Sequence, residues 1–216
     1  ITGASRGIGR EIALRAARDG ANIVIAAKSA EAHPKLPGTI HSVAAEVVAA
    51  GGQALALQLD VRDEDAVKTA MAKAFEHFGS IDAVINNAGA IKLMGVEHLP
   101  PKRFDLMFQI NTRAVMVCSQ AALPYLKKSQ GHILSLSPPL NLDPKWFANY
   151  GPYTTTKYGM SMLTLGMHEE FKKYGISVNS LWPKTVIATA AIEFEAGGPA
   201  VMKAARLPAI MADAAY

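Results

Sequence analysis

The stretch Thr2-Gly3-Ala4-Ser5-Arg6-Gly7-Ile8-Gly9 decides the fold, because it follows the end of an expected strand and runs into the start of the amphipathic segment Ile8–Arg18. Glycines let the backbone of such a turn approach a phosphate closely, and the free N–H groups and dipole of the following helix favour an anion. Ile1 is expected to be the last residue of a strand that leads into this turn. The same glycines also occur in ordinary tight turns. The rest of the chain therefore has to decide between a phosphate-binding turn and a turn without a ligand.

Beyond this turn, short apolar runs alternate with segments of helical periodicity. Strands are predicted for the apolar runs Ala21–Ala27, Ala54–Leu59, Ala83–Ile85, His132–Leu136 and Ser177–Leu181. Helices are predicted for Ile8–Arg18, Ser42–Ala50, Asp63–Phe78, Phe104–Lys127 and Tyr153–Lys173. Apolar strands of this kind are buried on both faces of a parallel sheet. The alternation therefore predicts an α/β protein with a single Rossmann-type doubly wound parallel sheet and helices on both faces.

Composition excludes several classes of protein. The 216 residues are 50% hydrophobic and 19% charged, which indicates a globular chain. The net charge of +4 includes no run of cations, so no nucleic-acid partner is expected. The single cysteine, Cys118, excludes a disulfide framework and a Cys-rich zinc site, and no metal site is predicted. No apolar run reaches the roughly 18–20 residues of a membrane span.

The sequence is interpreted as one domain, residues 1–216, truncated at both ends. We expect a cytoplasmic protein, with any targeting signal lying outside the sequence. Two segments break the alternating pattern: Ser29–Thr39, which contains Pro34 and Pro37, and Ala190–Ile210. Long irregular segments of compact domains are usually lids or binding loops. The apolar residues of the second segment are expected to form a lid, or alternatively to pack on the core. They are Phe194, Met202, Leu207 and the nearby Met211, and Gly197-Gly198-Pro199 lies among them.

Two further motifs carry potential chemistry. Asn86-Asn87-Ala88-Gly89 follows a buried strand, at the edge where open α/β sheets bind ligands, although an Asn-Gly turn would read the same way. Tyr153 and Lys157 are four residues apart and so share one face of a helix. A nearby ammonium lowers the pKa of a phenol toward the range useful for proton transfer. Taken alone, such a pair is more often a solvated helix face.

These three motifs, in this order and at these separations, resemble the short-chain dehydrogenase/reductase family over essentially the whole chain. The resemblance implies that Tyr153 is the general acid/base and that Lys157 holds the nicotinamide ribose and lowers the pKa of the tyrosine. It also implies that Asn111 shapes its helix and supports a proton-relay water. It implies a nucleotide cofactor bound by Gly3, Ser5, Arg6, Gly7, Ile8, Gly9, Lys28, Asp60, Val61, Asn87, Ala88, Gly89, Lys157, Pro183 and Ile187.

The chain departs from the family pattern at two places. Pro138 stands where the family has its catalytic serine, and Ser137 is one residue away. Adjacent strand residues point to opposite faces, but a bend at Pro138-Pro139 would turn the Ser137 hydroxyl inward; both arrangements stay open. Pro183-Lys184 replaces the family's Pro-Gly. These changes affect substrate polarisation and loop geometry rather than cofactor binding.

Cofactor choice is predicted from the residues about 20 positions beyond the glycine motif. NAD-binding sheets place a carboxylate there, whereas NADP-binding sheets offer a cation. The strand exit contains Lys28, and the first carboxylate, Glu31, lies beyond it in the loop. Arg6 can supply a second charge to a 2′-phosphate. We therefore expect NADP(H) rather than NAD(H), the alternative being that both cations are solvated surface residues.

The sequence thus predicts an NADP(H)-dependent oxidoreductase that interconverts an alcohol and a carbonyl on an apolar molecule, with a lipid-like or steroid-like alcohol, ketone or acyl substrate. One alternative is a cofactor-binding sensor or scaffold of the same fold with little turnover, suggested by Pro138. A weaker one is an interaction protein whose function lies in a missing C-terminal part. A homotetramer or dimer is expected, because the two long helices carry apolar residues on more than one face, namely Met116, Leu123, Met160, Leu163 and Met167.

Overall fold

The structure is a computed structural model that describes residues 1–195 and 198–216. Gly197 of the predicted lid segment lies outside the described residues. Five strands are present: β1 (Asn22–Ala27), β2 (Gln53–Gln58), β3 (Ala83–Asn86), β4 (His132–Ser135) and β5 (Ser177–Ser180). The helices are α1 (Gly7–Ala17), α2 (Ile40–Ala49), α3 (Glu64–Phe78), α4 (Pro101–Phe108), α5 (Ala114–Ser129), α6 (Gly151–Phe171), α7 (Ala190–Glu195), α8 (Gly198–Ala204) and α9 (Ala209–Ala215).

All strand pairs are parallel, which confirms the predicted α/β class. Strand β1 pairs with β2, and β4 lies between β3 and β5. The predicted strands match these five within one residue at each end. Strand β2 differs from the expectation of burial on both faces: its ends are exposed and its four central residues are half-buried. The reason is its place at the edge of the sheet, where β1 is its one strand partner among the described residues.

Residues Ile1–Gly3 lie between the β1–β2 pair and the β3–β4–β5 group. The Ile1 amino group donates to the Val24 carbonyl at 3.0 Å, and the Ala26 N–H donates to Ile1 at 3.1 Å. The Thr2 N–H donates to Ile85 of β3 at 3.0 Å. Ile1–Gly3 therefore follows the line of a central strand that leads into the glycine-rich turn, as the sequence predicts.

The helices begin and end with recognisable capping residues. The Asp63 side chain accepts the Ala66 N–H at the start of α3, and Gly79 ends that helix with a left-handed φ of 79°. Thr39 and Ser42 form a reciprocal capping box at the start of α2. The predicted single helix Phe104–Lys127 is α4 and α5, joined by one π-helical turn at Gln109–Arg113. This interruption leaves no gap in the chain's helical path, which is why the periodicity did not show it.

The two long helices pack on the sheet through residues that the sequence assigned to an interface. Met160 and Met167 are buried in the main hydrophobic cluster, and Leu123 and Leu163 pack against it. Of the five residues expected on an outer face, only Met116 is exposed. The exposed apolar surface of these helices is instead formed by Phe108, Met116, Met162 and Leu165.

The segment after β5 forms a flap that is closed at its base. Ile187 pairs with Arg206 as a parallel bridge, and backbone hydrogen bonds join Arg206 to Val186 and Ala188. Helices α7 and α8 extend from this base. Met211, expected to belong to an apolar lid, is a core residue, because α9 packs on α1. Leu207 and Phe194 are exposed, and Met202 is half-buried.

Candidate active site

A cleft of about 2220 Å³ opens where the strands and the glycine-rich turn end. Its volume exceeds the ~300–1,000 Å³ typical of single-ligand pockets, so it has room for a dinucleotide and a second molecule. All the predicted site residues except Gly9 line it: Gly3, Ser5, Arg6, Gly7, Ile8, Lys28, Asp60, Val61, Asn87, Ala88, Gly89, Asn111, Tyr153, Lys157, Pro183 and Ile187.

The glycine-rich turn has the geometry of an anion cradle. Gly3 and Gly7 have φ of 67° and 58°, and a Cβ at Gly3 would lie 2.9 Å from the Ala88 backbone. The N-cap of α1, Arg6, makes no side-chain cap bond, and the first turn of α1 carries no acidic residue. The N–H groups of that turn are therefore available to a phosphate.

Gly9 has a packing role and does not line the cleft. It is buried, and a Cβ there would lie 2.4 Å from Nδ2 of Asn87 and 2.8 Å from the Gly3 carbonyl oxygen. The third glycine of such a turn is needed where the helix packs closely. The structure therefore gives Gly9 a role in supporting the turn, and its contact with a cofactor stays a prediction.

Asn87 joins β3 to the turn. Its Nδ2 donates to the carbonyl oxygens of Thr2 and Gly3 at 2.9 and 3.1 Å. The Thr2 hydroxyl accepts the N–H groups of Asn87 and Ala88, both at 3.1 Å. The Asn-Gly motif is therefore more than a turn, because its first side chain fixes the glycine-rich turn against the strand end.

A charged cluster lies at the exits of β1 and β2. The Asp60 carboxylate accepts bonds from Arg62, with Nε at 3.0 Å from Oδ1, and lies 3.2 Å from the Lys28 ammonium. Hydrogen bonds from Arg62, aided by Lys28, hold the pKa of Asp60 well below its usual range. The Lys28 side chain is 62% exposed, so its ammonium can move from Asp60 to a ligand.

Tyr153 and Lys157 both lie in the inner part of the cleft. The Lys157 side chain is half-buried, and its ammonium donates to the Leu136 carbonyl at 2.5 Å; desolvation lowers its pKa to about 8. Burial raises the pKa of the Tyr153 phenol. Desolvation of the phenol therefore sets the direction of the shift in this structure, and the lowering effect expected of the Lys157 ammonium stays a prediction.

Asn111 lies within the π-helical turn and is fully buried. Its Oδ1 accepts the Ala90 N–H at 2.8 Å, and its Nδ2 donates to the Ala90 carbonyl and to the Thr156 hydroxyl, both at 2.9 Å. The Thr156 hydroxyl in turn donates to the Tyr153 carbonyl at 2.8 Å. Asn111 thus joins the loop after β3 to the helix that carries Tyr153, at a π-turn of the kind found at functional sites.

The Ser137 hydroxyl lies 2.8 Å from the Ser180 hydroxyl, and Ser137 is buried although it lines the cleft. The Ser137 N–H donates to Ser135 at 3.0 Å, so the chain turns tightly at Leu136. Pro138 follows, and its carbonyl accepts from the Ser161 hydroxyl at 2.5 Å. The two arrangements left open by the sequence thus resolve to a Ser137 hydroxyl bonded to β5.

The outer part of the cleft is rich in apolar side chains from several loops. Trp146, Trp182 and Phe194 line it, and each is exposed. The Lys92 ammonium lies 2.9 Å from the Glu195 carboxylate at the end of α7, which links the loop after β3 to the flap. The aromatic side chains of this part of the cleft suit an apolar ligand.

Sequence reasoning missed several residues of this cleft. Ser29 and Gly38, from the segment noted only for its length, line the wall beside Arg6. The unusual length of this loop and its Pro37-Gly38 pair were the sequence features that could have indicated a role in the cleft. Trp146 had no local signal, because only the tertiary structure brings it to the cleft. Ser180, the partner of the Ser137 hydroxyl, had none either.

The chain belongs to the short-chain dehydrogenase family, whose model matches residues 1–196. This confirms the resemblance and the assignment as an oxidoreductase of that family. Among known proteins, the chain is 60% identical to hydroxysteroid dehydrogenase-like protein 2 of Xenopus tropicalis, over 100% of the chain and 52% of that protein. The chain therefore spans about half the length of this relative.

Solved structures agree with the fold. A putative dehydrogenase from Xanthomonas campestris is 57% identical with a TM-score of 0.95, covering 99% of this chain and 78% of its own. A metagenomic short-chain oxidoreductase in complex with NADP is 26% identical with a TM-score of 0.79, covering 99% and 86%. A carveol dehydrogenase from Mycobacterium avium in complex with NAD, 23% identical with a TM-score of 0.84 and coverage of 99% and 87%, shares the fold. Structural neighbours therefore bind NADP or NAD.

The residues of this cleft fit a nicotinamide dinucleotide. The Gly3–Gly7 turn leaves the space and the N–H groups that a diphosphate needs, and the half-buried Lys157 ammonium offers a donor in the cleft wall. Within residues 1–195 and 198–216, no helix is long and apolar enough to cross a membrane.

Proposed function

We propose that the protein is an NADP(H)-dependent oxidoreductase that interconverts an alcohol and a carbonyl on an apolar small molecule, with Tyr153 as the general acid/base. One observation carries this proposal: Tyr153 and Lys157 are half-buried and line the same cleft as the phosphate turn. A titratable pair so placed is rarely a solvated helix face.

When bound, the cofactor supplies or accepts the hydride. For reduction, the Tyr153 hydroxyl gives its proton to the substrate oxygen; for oxidation, the phenolate takes the proton of the substrate hydroxyl. Because burial keeps the phenol protonated at neutral pH, the resting site is prepared to act as an acid. The Lys157 ammonium, beside the Leu136 carbonyl, would hold the ribose and stabilise the phenolate that reduction leaves.

Asn111 supports this arrangement as a positioning residue. Its amide binds the Thr156 hydroxyl, which in turn binds the Tyr153 backbone. The proposed proton-relay water would lie near the π-helical turn.

The preference for NADP(H) is supported by the cations at the ribose end. The exposed Lys28 ammonium lies at the β1 exit, and Arg6 lies on the phosphate turn beside it. Asp60, whose carboxylate lies 3.2 Å from the Lys28 ammonium, is also neutralised by Arg62. A 2′-phosphate would replace Asp60 as the partner of Lys28 and gain charge-assisted hydrogen bonds.

A lipid-like or steroid-like alcohol, ketone or acyl compound is the proposed substrate class, supported by the aromatic outer cleft formed by Trp146, Trp182 and Phe194. A homotetramer or dimer is proposed on the exposed apolar residues of α4, α5 and α6, namely Phe108, Met116, Met162 and Leu165.

A second candidate is a cofactor-binding sensor or scaffold with little turnover. It is favoured by one observation: the Ser137 hydroxyl is bonded to Ser180, and Pro138 follows in the cleft wall. The Ser137 hydroxyl is then shared with Ser180, and Pro138 offers no hydroxyl to polarise a carbonyl.

The two candidates are separated by measuring NADPH oxidation with a panel of apolar aldehydes and ketones alongside NADPH binding. The enzyme proposal predicts turnover that Tyr153→Phe abolishes while binding persists. The sensor is favoured if NADPH binds tightly, no compound of the panel is turned over, and Tyr153→Phe changes neither NADPH binding nor NADPH oxidation.

A further inference from the structure

The Ser29–Thr39 segment packs directly on the glycine-rich turn. At the contact, Gly38 has φ +87°, and a Cβ added there would lie 2.2 Å from the Ser5 carbonyl oxygen. Real Cβ atoms do not come so close to a backbone oxygen, and an L side chain rarely adopts this φ. Only glycine therefore lets the segment reach the turn in this way.

Arg6 joins the two ends of the segment. Its Nε donates to the Pro37 carbonyl at 3.0 Å, and its Nη2 donates to the Gly38 carbonyl at 2.9 Å and to the Ser29 hydroxyl at 3.1 Å. The Ile40 N–H closes the base of the segment on the Ser29 carbonyl at 2.9 Å. The fork of a guanidinium, which a lysine lacks, makes these simultaneous bonds possible.

This packing leaves hydrogen-bond donors directed to one region of the cleft. The Ser29 hydroxyl accepts from Arg6, so its own proton is free to be donated. The Lys28 ammonium precedes it at the strand exit, and Arg6, Lys28 and Ser29 all line the cleft. Across the described part of the chain, Nη1 of Arg6 has no hydrogen-bond partner. Asp60, 3.2 Å from Lys28, is the anion that a ligand must displace.

We propose that Gly38 and Arg6 are positioning residues: they hold the Ser29–Thr39 segment on the phosphate turn, so that the Ser29 hydroxyl and the Lys28 ammonium converge on a phosphorylated ribose. The segment is thus the element that makes the cofactor site selective. This inference rests on the proposed NADP(H) function and extends it from two cations to the loop that places them.

The test compares Gly38→Ala with a matched control, Gly20→Ala. Gly20 has a similar φ of +82°, but a Cβ there meets open space within the described structure. Both variants carry the same backbone strain, and only Gly38→Ala forces the segment off the turn. We expect Gly38→Ala to raise the Kd for NADPH about tenfold, with less than about a threefold change for NADH and an unchanged NADPH/NADH ratio in Gly20→Ala.

A second variant, Arg6→Lys, keeps the charge and removes the fork. If Arg6 positions the segment, Arg6→Lys loses selectivity in the same way as Gly38→Ala, and Ser29→Ala loses it by a smaller factor. If Arg6 acts only as a charge, Arg6→Lys keeps the wild-type ratio. Thermal melting of each variant verifies folding, and the ratio of the two Kd values does not respond to a general loss of stability.

The outcomes separate this inference from the proposed function. If the wild-type protein binds NADH as tightly as NADPH, the NADP(H) assignment itself is overturned. If the wild type prefers NADPH and both Gly38→Ala and Arg6→Lys keep that preference, the role of the segment is overturned and the assignment stands. Loss of the preference in both variants, but not in Gly20→Ala, supports the proposal.

Discussion

The Lys157 ammonium donates a hydrogen bond of 2.5 Å to the Leu136 carbonyl, and this bond connects α6 to the turn that follows β4. Two further contacts connect the same elements: Ser161 donates to the Pro138 carbonyl at 2.5 Å, and the Tyr158 hydroxyl donates to the Asn141 carbonyl at 2.8 Å. The helix that carries Tyr153 therefore fixes the backbone where the family's serine would stand. At Pro138 the backbone alone forms the cleft wall, because a proline side chain carries no hydroxyl group.

Replacing Tyr153 with Phe keeps the ring and removes the transferable proton. We expect turnover to fall about 10²–10⁴-fold, the usual contribution of a general acid/base, with little change in NADPH affinity. Tyr150→Phe is the matched control, because Tyr150 is exposed at the start of α6 and outside the cleft lining. Near wild-type turnover in Tyr153→Phe would exclude the proposed proton transfer.

The pH dependence follows from the direction of the Tyr153 shift. Burial raises the pKa of this phenol, so the protonated form needed for reduction is present throughout the neutral range. We expect the reduction rate to show no loss from Tyr153 ionisation between about pH 6 and about pH 9, while oxidation accelerates as the pH rises. Steady-state rates measured in both directions check this. A reduction rate that already decreases as the pH is raised towards 7 would contradict it.

Lys157 is expected to lower the free energy of unfolding although turnover requires it. Its pKa is lowered by burial from 10.5 to about 8, so the unfolded chain binds more protons between these values and stability rises with pH across this window. Lys157→Met removes the buried charge. We expect it to abolish turnover, to stabilise the fold at neutral pH by on the order of 1–2 kcal/mol, and to flatten the pH dependence. Urea unfolding of both proteins at two pH values measures this, and a less stable Lys157→Met contradicts it.

Charge reversal at Lys28 tests the cofactor preference. We expect the wild type to bind NADPH more tightly than NADH by about 1–3 kcal/mol, or roughly 5- to 150-fold, from charge-assisted bonds to the 2′-phosphate. Lys28→Asp should remove most of that difference. Lys35→Asp is the control, since Lys35 is exposed in the Ser29–Thr39 segment and does not line the cleft. Fluorescence titration with both cofactors gives the ratio of the Kd values for NADPH and NADH in each protein. If Lys28→Asp and Lys35→Asp change this ratio equally, the effect is one of long-range charge and not of a contact with the 2′-phosphate.

The exposed apolar residues of α6 predict an interface between copies of the chain. Met162 and Leu165 are 57% and 63% exposed. We expect the double change Met162→Glu and Leu165→Glu to dissociate a tetramer or dimer, because a charge buried in an apolar interface is strongly unfavourable. Val48→Glu changes an equally exposed residue of α2, 58% exposed, and should leave the assembly intact. Light scattering distinguishes the two; a monomeric wild type at micromolar concentration would rule the interface out.

Local patterns in the sequence were sufficient for the elements and for most of the cleft. The five strands are located within one residue, and each predicted helical segment falls on helix, with Phe104–Lys127 divided between α4 and α5, because apolar periodicity reflects burial. The positions of Gly3, Gly7, Lys28, Asp60 and Asn87 at turn and strand ends follow from the rule that parallel sheets bind ligands at one edge. The π-helical turn around Asn111 was not predictable, because it joins α4 to α5 without interrupting the helical path of the chain.

The sequence by itself determined the class of fold and the edge of the sheet at which the cleft forms, because these depend on residue patterns within single elements. Only the tertiary structure decided how residues distant in the chain meet. The bond between Ser137 and Ser180, the contact of Gly38 with the Ser5 carbonyl and the burial that raises the Tyr153 pKa all join separate elements. Such contacts and the desolvation they cause depend on the packed environment, which no local pattern specifies.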